Sequence, residues 1–385
     1  MPRVYLDHSA TTPVRAEVAH LVMEYLTTKF GNPSTAYFLG REAKKGMDQA
    51  REQVATLINA QPEEIIFTSG GTEADNLAIT GIASAYAEQG KHLITSAIEH
   101  QAVLATYKSL ERHGYKITVL PVDKYGLVRI NDLKRAIRKD TILISIMHIN
   151  NEVGTIQPVE EIGAIARERQ IVFHTDAVQS VGKIPVDVEK IQADLLTGSG
   201  HKFYGPKGSG FLFLSKGVKL APYVFGGGQE KAYRPGTENV SSIVGMGLAA
   251  ELAGKELQTE IPRVAALRDK LVQGLQQRVP QVRLNGDAVR RVSGNANLCF
   301  PGAAGEALLE NLDLKGICVS SGSACSTGGL EPSHVLLAMG MPSELAKSSL
   351  RITLGIENTE EEIDYVIEQL TQIYNSVVKY YRKNS

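Results

Sequence analysis

Between about residues 64 and 215 the chain alternates short β-rich runs with stretches of helical pattern. The predicted strands cover residues 64–67, 92–95, 117–120, 141–146, 171–173 and 210–214. This alternation is typical of a mostly parallel sheet covered by helices. Ligands bind such sheets at the carboxyl ends of the strands, so the polar residues that follow each run are the first candidates for a functional site.

The pattern changes in the last third of the chain. A helical stretch from Ser241 to about Val279 could bridge two domains, and Pro262 predicts a break or a kink in it. Short strands and helices follow, which predicts a smaller α+β domain. A length of 385 residues also favours two domains.

Composition excludes some classes of function. The net charge is −1, from 41 Lys and Arg against 42 Asp and Glu, without a long block of one sign. Binding to nucleic acid or to a membrane surface therefore gains no support. No apolar run approaches the roughly 18 residues of a membrane span, and the first residues do not resemble a signal peptide, so we expect a cytoplasmic protein.

The three cysteines are Cys299, Cys318 and Cys325. They are too few for a disulfide framework and lack the spacing of a zinc site, and the histidines show no metal-ligand spacing either. Cys299 and Cys318 have apolar neighbours, which predicts that both are buried. Cys325 lies among small and polar residues between Ser320 and Gly329, and this setting favours a reactive thiol on a loop.

Lys202 is the strongest catalytic candidate. It follows Ser199, Gly200 and His201, and Asp176 with Gln179 precedes it at the end of a predicted strand. A lysine beside a carboxylate, a histidine and hydroxyls suits an enzyme that binds pyridoxal phosphate covalently. Taken singly, Lys202 would be a surface lysine and Asp176 a turn or cap residue. Lys207 is the only local rival to Lys202, and we expect it to be structural or exposed.

Other polar residues favour anion binding. The run 69–73, Ser-Gly-Gly-Thr-Glu, lies at a predicted strand-to-helix junction and could bind a phosphate. Arg351 could hold a carboxylate with two parallel hydrogen bonds, although an arginine in an alternating strand is ordinarily solvated. His100 follows a predicted strand, where a lone histidine is more often structural than catalytic. Asn32 could simply form a turn.

Six motifs carry a family resemblance. They are Tyr-Leu-Asp-His-Ser-Ala-Thr-Thr-Pro at 5–13, Gly-Gly-Thr-Glu-Ala-Asp-Asn at 70–76, Asn-Asn-Glu-Val-Gly at 150–154, His-Thr-Asp-Ala-Val-Gln at 174–179, Ser-Gly-His-Lys at 199–202 and Arg-Pro-Gly-Thr-Glu-Asn at 234–239. Together with the Cys325 segment, their order resembles that of the cysteine desulfurases of iron–sulfur cluster assembly and nitrogen fixation, which are class V aminotransferases that use pyridoxal phosphate.

The resemblance implies an α/β fold of the aminotransferase type. Its large domain, residues 15–255, would hold a mostly parallel seven-stranded sheet covered by helices. Residues 1–14 and 256–385 would form the small α+β domain that carries the cysteine loop. The implied protein is a homodimer that converts L-cysteine to L-alanine and keeps the sulfur as a persulfide on Cys325. An iron–sulfur scaffold or another protein would accept this sulfur, without a nucleic acid or membrane partner.

The resemblance also implies a role for each candidate residue. The catalytic residues would be Lys202, Cys325 and His100, and His100 would stack on the cofactor ring and move protons. Asp176 would pair with the ring nitrogen, and Gln179 with Asn151 would meet the phenolic oxygen. The cofactor-binding set would be Gly71, Thr72, Asn151, Asp176, Gln179, Ser199, His201, Lys202 and, from the partner subunit, Thr237. The substrate would bind to Arg351, Asn151 and Asn32. No metal ion is expected.

Alternatives stay open at this point. A selenocysteine lyase or an aminotransferase for a small amino acid would share the fold, and neither needs Cys325 for its basic chemistry. A non-catalytic partner subunit would keep the fold but not the intact set of Lys202, Asp176, His100 and Cys325. Tyr37 and the pair His8-Ser9 depart from the commoner His and Asn-Ala of the family, and resemble tolerated variants.

Overall fold

A computed structural model describes residues 3–321 and 331–384, with side chains as far as residue 381. The strands are β1 (Val4–Tyr5), β2 (Ile65–Thr68), β3 (His92–Ser96), β4 (Lys116–Leu120), β5 (Thr141–Ser145), β6 (Val172–Asp176), β7 (Leu195–Ser199), β8 (Gly210–Leu214), β9 (Arg283–Leu284), β10 (Asn295–Cys299), β11 (Ile317–Cys318) and β12 (Ser349–Thr353). The helices are α1 (Ala16–Thr27), α2 (Phe38–Leu57), α3 (Gly71–Ala85), α4 (Gln101–Arg112), α5 (Ile130–Ala136), α6 (Val159–Glu168), α7 (Val188–Ile191), α8 (Val240–Arg278), α9 (Gly305–Asp313), α10 (His334–Ala338), α11 (Ser343–Lys347) and α12 (Glu360–Asn384).

Seven strands form the large sheet, in the order β2-β8-β7-β6-β5-β3-β4. Only β8 runs against its neighbours, and every other pairing involving β3 to β7 is parallel. The predicted mostly parallel α/β sheet is therefore confirmed. The strand β7 has no counterpart among the predicted strands, because its sequence Leu-Leu-Thr-Gly-Ser has little β propensity. Hydrogen bonds to β6 on one side and to β8 on the other stabilise this strand, although its local sequence does not favour one.

Apolar side chains cover both faces of this sheet. Ile66, Leu93 and Leu143 pack against α3 and α4 on one face. Phe67, Ile94 and Ile144 belong to the core of the other face, which α2, α6 and the first half of α8 cover. Because both faces are buried, the central strands read as continuous apolar runs, which is typical of parallel sheets.

A second core lies around two small sheets. One has the antiparallel order β12-β10-β9, and the other pairs β1 with β11 in parallel. Val4 and Leu6 of the N-terminal segment join this core, as do α12 and the second half of α8. Side chains of α10 and α11, in contrast, pack on the core of the large sheet. The separate core supports the predicted division at residues 14 and 255, which stays a proposal.

The helix α8 is unbroken from Val240 to Arg278 although it contains Pro262. Of the break or kink predicted at Pro262, the break is therefore wrong. Pro262 is exposed, so water can satisfy the carbonyl that its missing N–H leaves without a partner. The flanking segments are each fixed by burial, from Ile243 to Ala250 in the large core and from Val264 to Leu275 in the small core. Across the described ranges, no helix combines the length and the apolar character that a membrane crossing requires.

Candidate active site

Five strand ends bring polar residues to one edge of the large sheet. Gly71 follows β2, His100 follows β3 and Asn151 follows β5, while Asp176 and Ser199 are the last residues of β6 and β7. Because β2, β3, β5, β6 and β7 point the same way, their carboxyl ends meet. This is the edge at which parallel sheets bind ligands.

A cavity of about 350 Å³ opens at this edge. Its lining residues are Ser9, Ala10, Gly71, Thr72, Asp75, His100, Met147, Asn151, Asp176, Val178, Gln179, Ser199, His201, Lys202 and Arg351. Most of the candidate residues are thus brought together in one place, while their assigned roles stay predictions.

Three candidates lie elsewhere. Asn32 is exposed and its Oδ1 accepts the Ser34 N–H at 2.9 Å, so within this subunit it forms the turn that the sequence left open. Thr237 is exposed and does not line the cavity of its own subunit. Cys325 lies outside the described residues.

Lys202 ends a short turn that continues from β7. Its Nζ donates hydrogen bonds to the main-chain oxygens of Ser9, at 2.7 Å, and of Ala10, at 2.8 Å. The N-terminal segment therefore holds the amine at the cavity wall. Lys207, the local rival, is exposed and lies outside the lining.

Asp176 is a buried carboxylate with a fixed position. It is 6% exposed, and its Oδ1 accepts the Val178 N–H at 2.9 Å. Burial raises its pKa, while His100 and Lys202 act in the opposite direction. Asp75 lies nearby, and its pKa is raised well above the ordinary value by burial and next by the charge of Asp176. The site thus contains two carboxyl groups that oppose each other's ionisation.

His100 caps the first turn of α4. Its Nδ1 accepts the Ala102 N–H at 3.1 Å, so Nε2 carries the proton in the neutral ring. Desolvation lowers the pKa of this histidine; Lys202 also lowers it, and Asp176 raises it. Nε2 could accept a proton only in the other tautomer, in which Nδ1 carries the hydrogen. That tautomer would lose the hydrogen bond from the Ala102 N–H.

The part of the cavity lining at the start of α3 is rich in hydrogen-bond donors. The helix α3 begins at Gly71, and its first N–H groups favour an anion. Ser199 and His201 lie beside it. Burial lowers the pKa of His201 to about 4, so its ring is neutral near pH 7.

Glu73 fixes the turn at this end. Its Oε2 accepts the Ser69 N–H at 2.7 Å, and its Oε1 accepts a bond from Arg234 Nε at 2.7 Å. Space is also tight, because a Cβ on Gly210 would lie 2.6 Å from Gly70 Cα. The turn therefore depends on glycine at position 210, and Gly70 itself has a φ of +156°, which residues with a side chain rarely adopt.

Arg351 on β12 faces the cavity from the small sheets. It is 3% exposed, so the solvated alternative is wrong. Its Nη2 donates to Asp7 Oδ1 at 2.9 Å and its Nη1 to the Asn151 carbonyl at 3.3 Å, while Nε is buried without a partner. Ser320 pairs with Arg351 through main-chain bonds of 3.1 and 2.7 Å, so the segment that leads to Cys325 departs from this arginine.

The two described cysteines differ in burial. Cys299 is buried, and burial raises the pKa of its thiol. Cys318 is only half-buried, because β1 and β11 form a sheet of two strands that leaves part of it uncovered. No group of three or more His, Cys, Asp or Glu among the described residues is arranged to hold a metal ion.

Sequence reasoning missed several contributors to the site. The oxygens of Ser9 and Ala10 carry no side-chain signal, since main-chain groups are common to all residues. Lys183, whose Nζ donates to Gln179 Oε1 at 2.6 Å, could have been noticed by its spacing of four residues from Gln179. Asp75 lies inside one of the six motifs but had no role assigned.

These residues fit pyridoxal phosphate. The start of α3 with Ser199 and His201 supplies donors for the phosphate, and Asp176 supplies a carboxylate for the ring nitrogen. Lys202 supplies an amine in the same lining. Fold and site together define an enzyme that depends on pyridoxal phosphate.

Comparison with known proteins agrees with this class. Residues 4–366 match the family described as Aminotransferase class-V. A cysteine desulfurase IscS of Dictyoglomus turgidum is 52% identical over 370 residues, covering 96% of this chain and 94% of the relative. A cysteine desulfurase IscS of Methanosarcina thermophila is 53% identical, covering 96% of this chain and 91% of the relative.

Solved structures agree as well. A structure titled NIFS-like protein superposes with a TM-score of 0.92 at 39% identity, covering 97% of this chain and 100% of that one. SspA in complex with cysteine superposes with a TM-score of 0.82 at 37% identity, covering 91% of this chain and 98% of that one. The chain belongs to the class-V aminotransferases and, among them, to the cysteine desulfurase family, whose cofactor is pyridoxal phosphate.

Proposed function

We propose that this protein removes sulfur from free L-cysteine, releases L-alanine and holds the sulfur as a persulfide on Cys325. The observation that carries the proposal is the convergence of Lys202, Asp176, His100 and Arg351 on one cavity, with the segment that leads to Cys325 departing beside Arg351. The solved relative SspA in complex with cysteine supports L-cysteine as the substrate. Bound pyridoxal phosphate supplies an electron sink for the α-carbon of the substrate.

Lys202 would hold the cofactor through its amine and would move the α-proton of the substrate. The oxygens of Ser9 and Ala10 hold this amine at the cavity wall. The buried carboxylate of Asp176 would keep the ring nitrogen protonated, because a charged pair forms more readily out of water than either charge alone. Gln179 and Asn151 would hold the phenolic oxygen.

Gly71, Thr72, Ser199 and His201 would hold the phosphate, and Thr237 of the partner subunit would complete this set. The main-chain N–H groups at the start of α3 supply most of the donors.

Arg351 binds the substrate carboxylate. Its buried Nε has no partner, so one donor remains available while Nη2 stays paired with Asp7. Asn151 and Asn32 complete the proposed substrate-binding set, and Asn32 would do so only if it moves from its turn or acts across the dimer.

The sulfur step balances without an outside oxidant. The thiolate of Cys325 would attack the substrate sulfur, so that an S–S bond forms as the C–S bond breaks and its electron pair stays with the β-carbon. The β-carbon then takes up one proton to become the methyl group of alanine, and the α-carbon regains the proton it lost. His100 takes part in this proton traffic once its Nδ1 releases the cap on Ala102. The persulfide then passes to an iron–sulfur scaffold or another acceptor protein.

We propose, further, a cytoplasmic homodimer whose chain divides into 15–255 and 1–14 with 256–385. The exposed position of Thr237 supports the dimer, since within one subunit it has no place in the cavity.

The test measures alanine and sulfide formed from L-cysteine by purified holoenzyme with a thiol reductant. We expect equal amounts of both from the parent. Cys325→Ser should retain the cofactor yet lose alanine formation by at least about a hundredfold, because a hydroxyl is far less ionised than a thiol near pH 7. Cys299→Ser and Cys318→Ser are the matched controls and should keep activity. Full alanine formation by Cys325→Ser, or transfer of the amino group to an added 2-oxo acid without sulfide, would replace this proposal with an aminotransferase or lyase.

A further inference from the structure

Lys183 fixes the orientation of a neighbouring amide. It lies in the turns that follow β6, and its Nζ donates to Gln179 Oε1 at 2.6 Å. Both the ammonium and the neutral amine of a lysine can donate, so the amide oxygen is the atom suited to face Lys183 in either state. On the other side, Gln179 Nε2 donates to the Ser9 carbonyl at 2.9 Å, which can only accept. Two independent contacts therefore require the same orientation.

The same carbonyl connects this amide to the reactive lysine. Ser9 O also accepts from Lys202 Nζ at 2.7 Å. Lys183, Gln179, Ser9 and Lys202 thus form one continuous chain of hydrogen bonds, and both Ser9 and Gln179 are buried. A buried chain of this kind leaves little freedom for the amide to turn, because a reversed amide would place N–H against N–H and oxygen against oxygen.

Lys183 itself has an unusual setting for a lysine. It lines a second, smaller cavity together with His8, Arg15, Glu256 and Glu260. Burial and, to a lesser extent, the charges of Lys202 and Arg351 together lower its pKa from 10.5 to about 7. The hydrogen bond to Gln179 Oε1 is the polar contact that the structure shows for this amine among the described residues.

We propose that Lys183 is a positioning residue, which holds the Gln179 amide so that its N–H group, and not its oxygen, is presented to the cofactor. The proposal rests on the role given above to Gln179 at the phenolic oxygen. A donor at that oxygen favours its ionised form and so affects how readily the lysine-bound cofactor loses its proton.

The experiment titrates the visible absorption band of the holoenzyme with pH, without substrate. We expect Gln179→Leu to move the midpoint by about half a pH unit or more, the ordinary worth of one hydrogen bond. Lys183→Met should move it in the same direction, and the double variant should move it no further than Gln179→Leu alone. Lys190→Met, at an exposed lysine of α7, is the control and should leave the midpoint in place.

Lys183→Arg keeps a donor at the position and should restore a midpoint close to that of the parent. It also serves if Lys183→Met fails to fold. An unmoved midpoint in Lys183→Met, an Arg variant that behaves as Met does, or additive shifts in the double variant would each overturn the inference while leaving the role of Gln179 intact. An unmoved midpoint in Gln179→Leu would overturn that role and the inference with it.

Discussion

At the scale of single residues, burial and hydrogen bonding decide which groups can react. Lys202 has main-chain oxygens around its amine, and Asp176 has one main-chain donor and little water. Such settings keep reactive groups in a defined position before the cofactor and the substrate arrive. A single substitution at such a residue should therefore have a defined effect on cofactor binding, activity or stability.

Lys202→Ala should abolish the visible absorption band and all turnover. Among the described residues that line the cavity, Lys202 is the only lysine, so no other amine there could replace it. Absorption spectra before and after borohydride reduction provide the check. A reducible link that persists in this variant would identify Lys207 or Lys183 as the binding lysine. Lys207→Ala is the matched control and should bind cofactor normally.

Glu99 should make stability depend on pH. It is fully buried, and burial raises its pKa from 4.5 to about 8. Because its pKa is raised in the folded state, the protonated carboxyl of Glu99 contributes to stability fully below pH 4.5. This contribution is lost as the pH rises toward 8. Glu99→Gln, which cannot ionise, should therefore match the parent near pH 5 and become more stable than it as the pH rises, by at most about 1.4 kcal/mol per pH unit.

Urea unfolding of both holoenzymes between pH 5 and 8 measures this difference. Glu111→Gln, at an exposed glutamate of α4, is the control and should run parallel to the parent. If Glu99→Gln also runs parallel, the carboxyl of Glu99 is ionised across the whole range.

At the scale of elements, the site depends on where strands end. The start of β8 lies between the ends of β2 and β7, with Gly210 paired to both Thr68 and Ser199. Three segments of main chain meet there without side chains between them. The geometry of the phosphate end is thus set by how closely these segments approach.

Gly210→Ala should push these strand ends apart. The added Cβ would lie 2.6 Å from Gly70 Cα and 2.8 Å from the Gly198 oxygen, and main chain cannot move aside as a flexible side chain can. We expect affinity for pyridoxal phosphate to fall at least about tenfold, with a loss of about 1–3 kcal/mol in the free energy of unfolding. Cofactor titration and urea unfolding measure the two effects.

Gly254→Ala is the control for this change. It lies within α8, where the added Cβ would meet only Leu57 at 3.5 Å, so we expect unchanged affinity and equal or slightly greater stability. Unchanged cofactor affinity in Gly210→Ala would show that the turn has more room than its contacts indicate.

At the scale of the whole molecule, the proposed dimer makes a prediction about exposed aromatic side chains. Phe30, Phe38 and Phe225 are 63%, 66% and 84% exposed. Phe30 lies two residues before Asn32, and Phe225 belongs to the segment that leads to Thr237. Asn32 and Thr237 are the two described candidates that lie outside the cavity of their own subunit. Exposed aromatic side chains near them favour an interface between two copies of the chain.

Sedimentation should therefore give twice the chain mass of 41.7 kDa. Thr237→Ala should weaken cofactor retention without dissociating the dimer, because a hydroxyl donor is lost while the apolar contacts remain. Phe225→Ser is the complementary variant and should weaken the dimer itself. A monomer that holds cofactor and turns over cysteine would contradict the dimer.

The sequence by itself determined the parallel sheet, the cofactor class and most of the cavity lining. Each of these depends on local pattern: apolar runs mark the strands, and the polar residues after them fall at one edge because parallel strands end together. Only the tertiary structure decided that Ser9 and Ala10 hold Lys202, that Asp7 pairs with Arg351 and that α8 continues through Pro262. These contacts join segments up to 344 residues apart or depend on cores that anchor both ends of a helix, and local propensity carries no information about either.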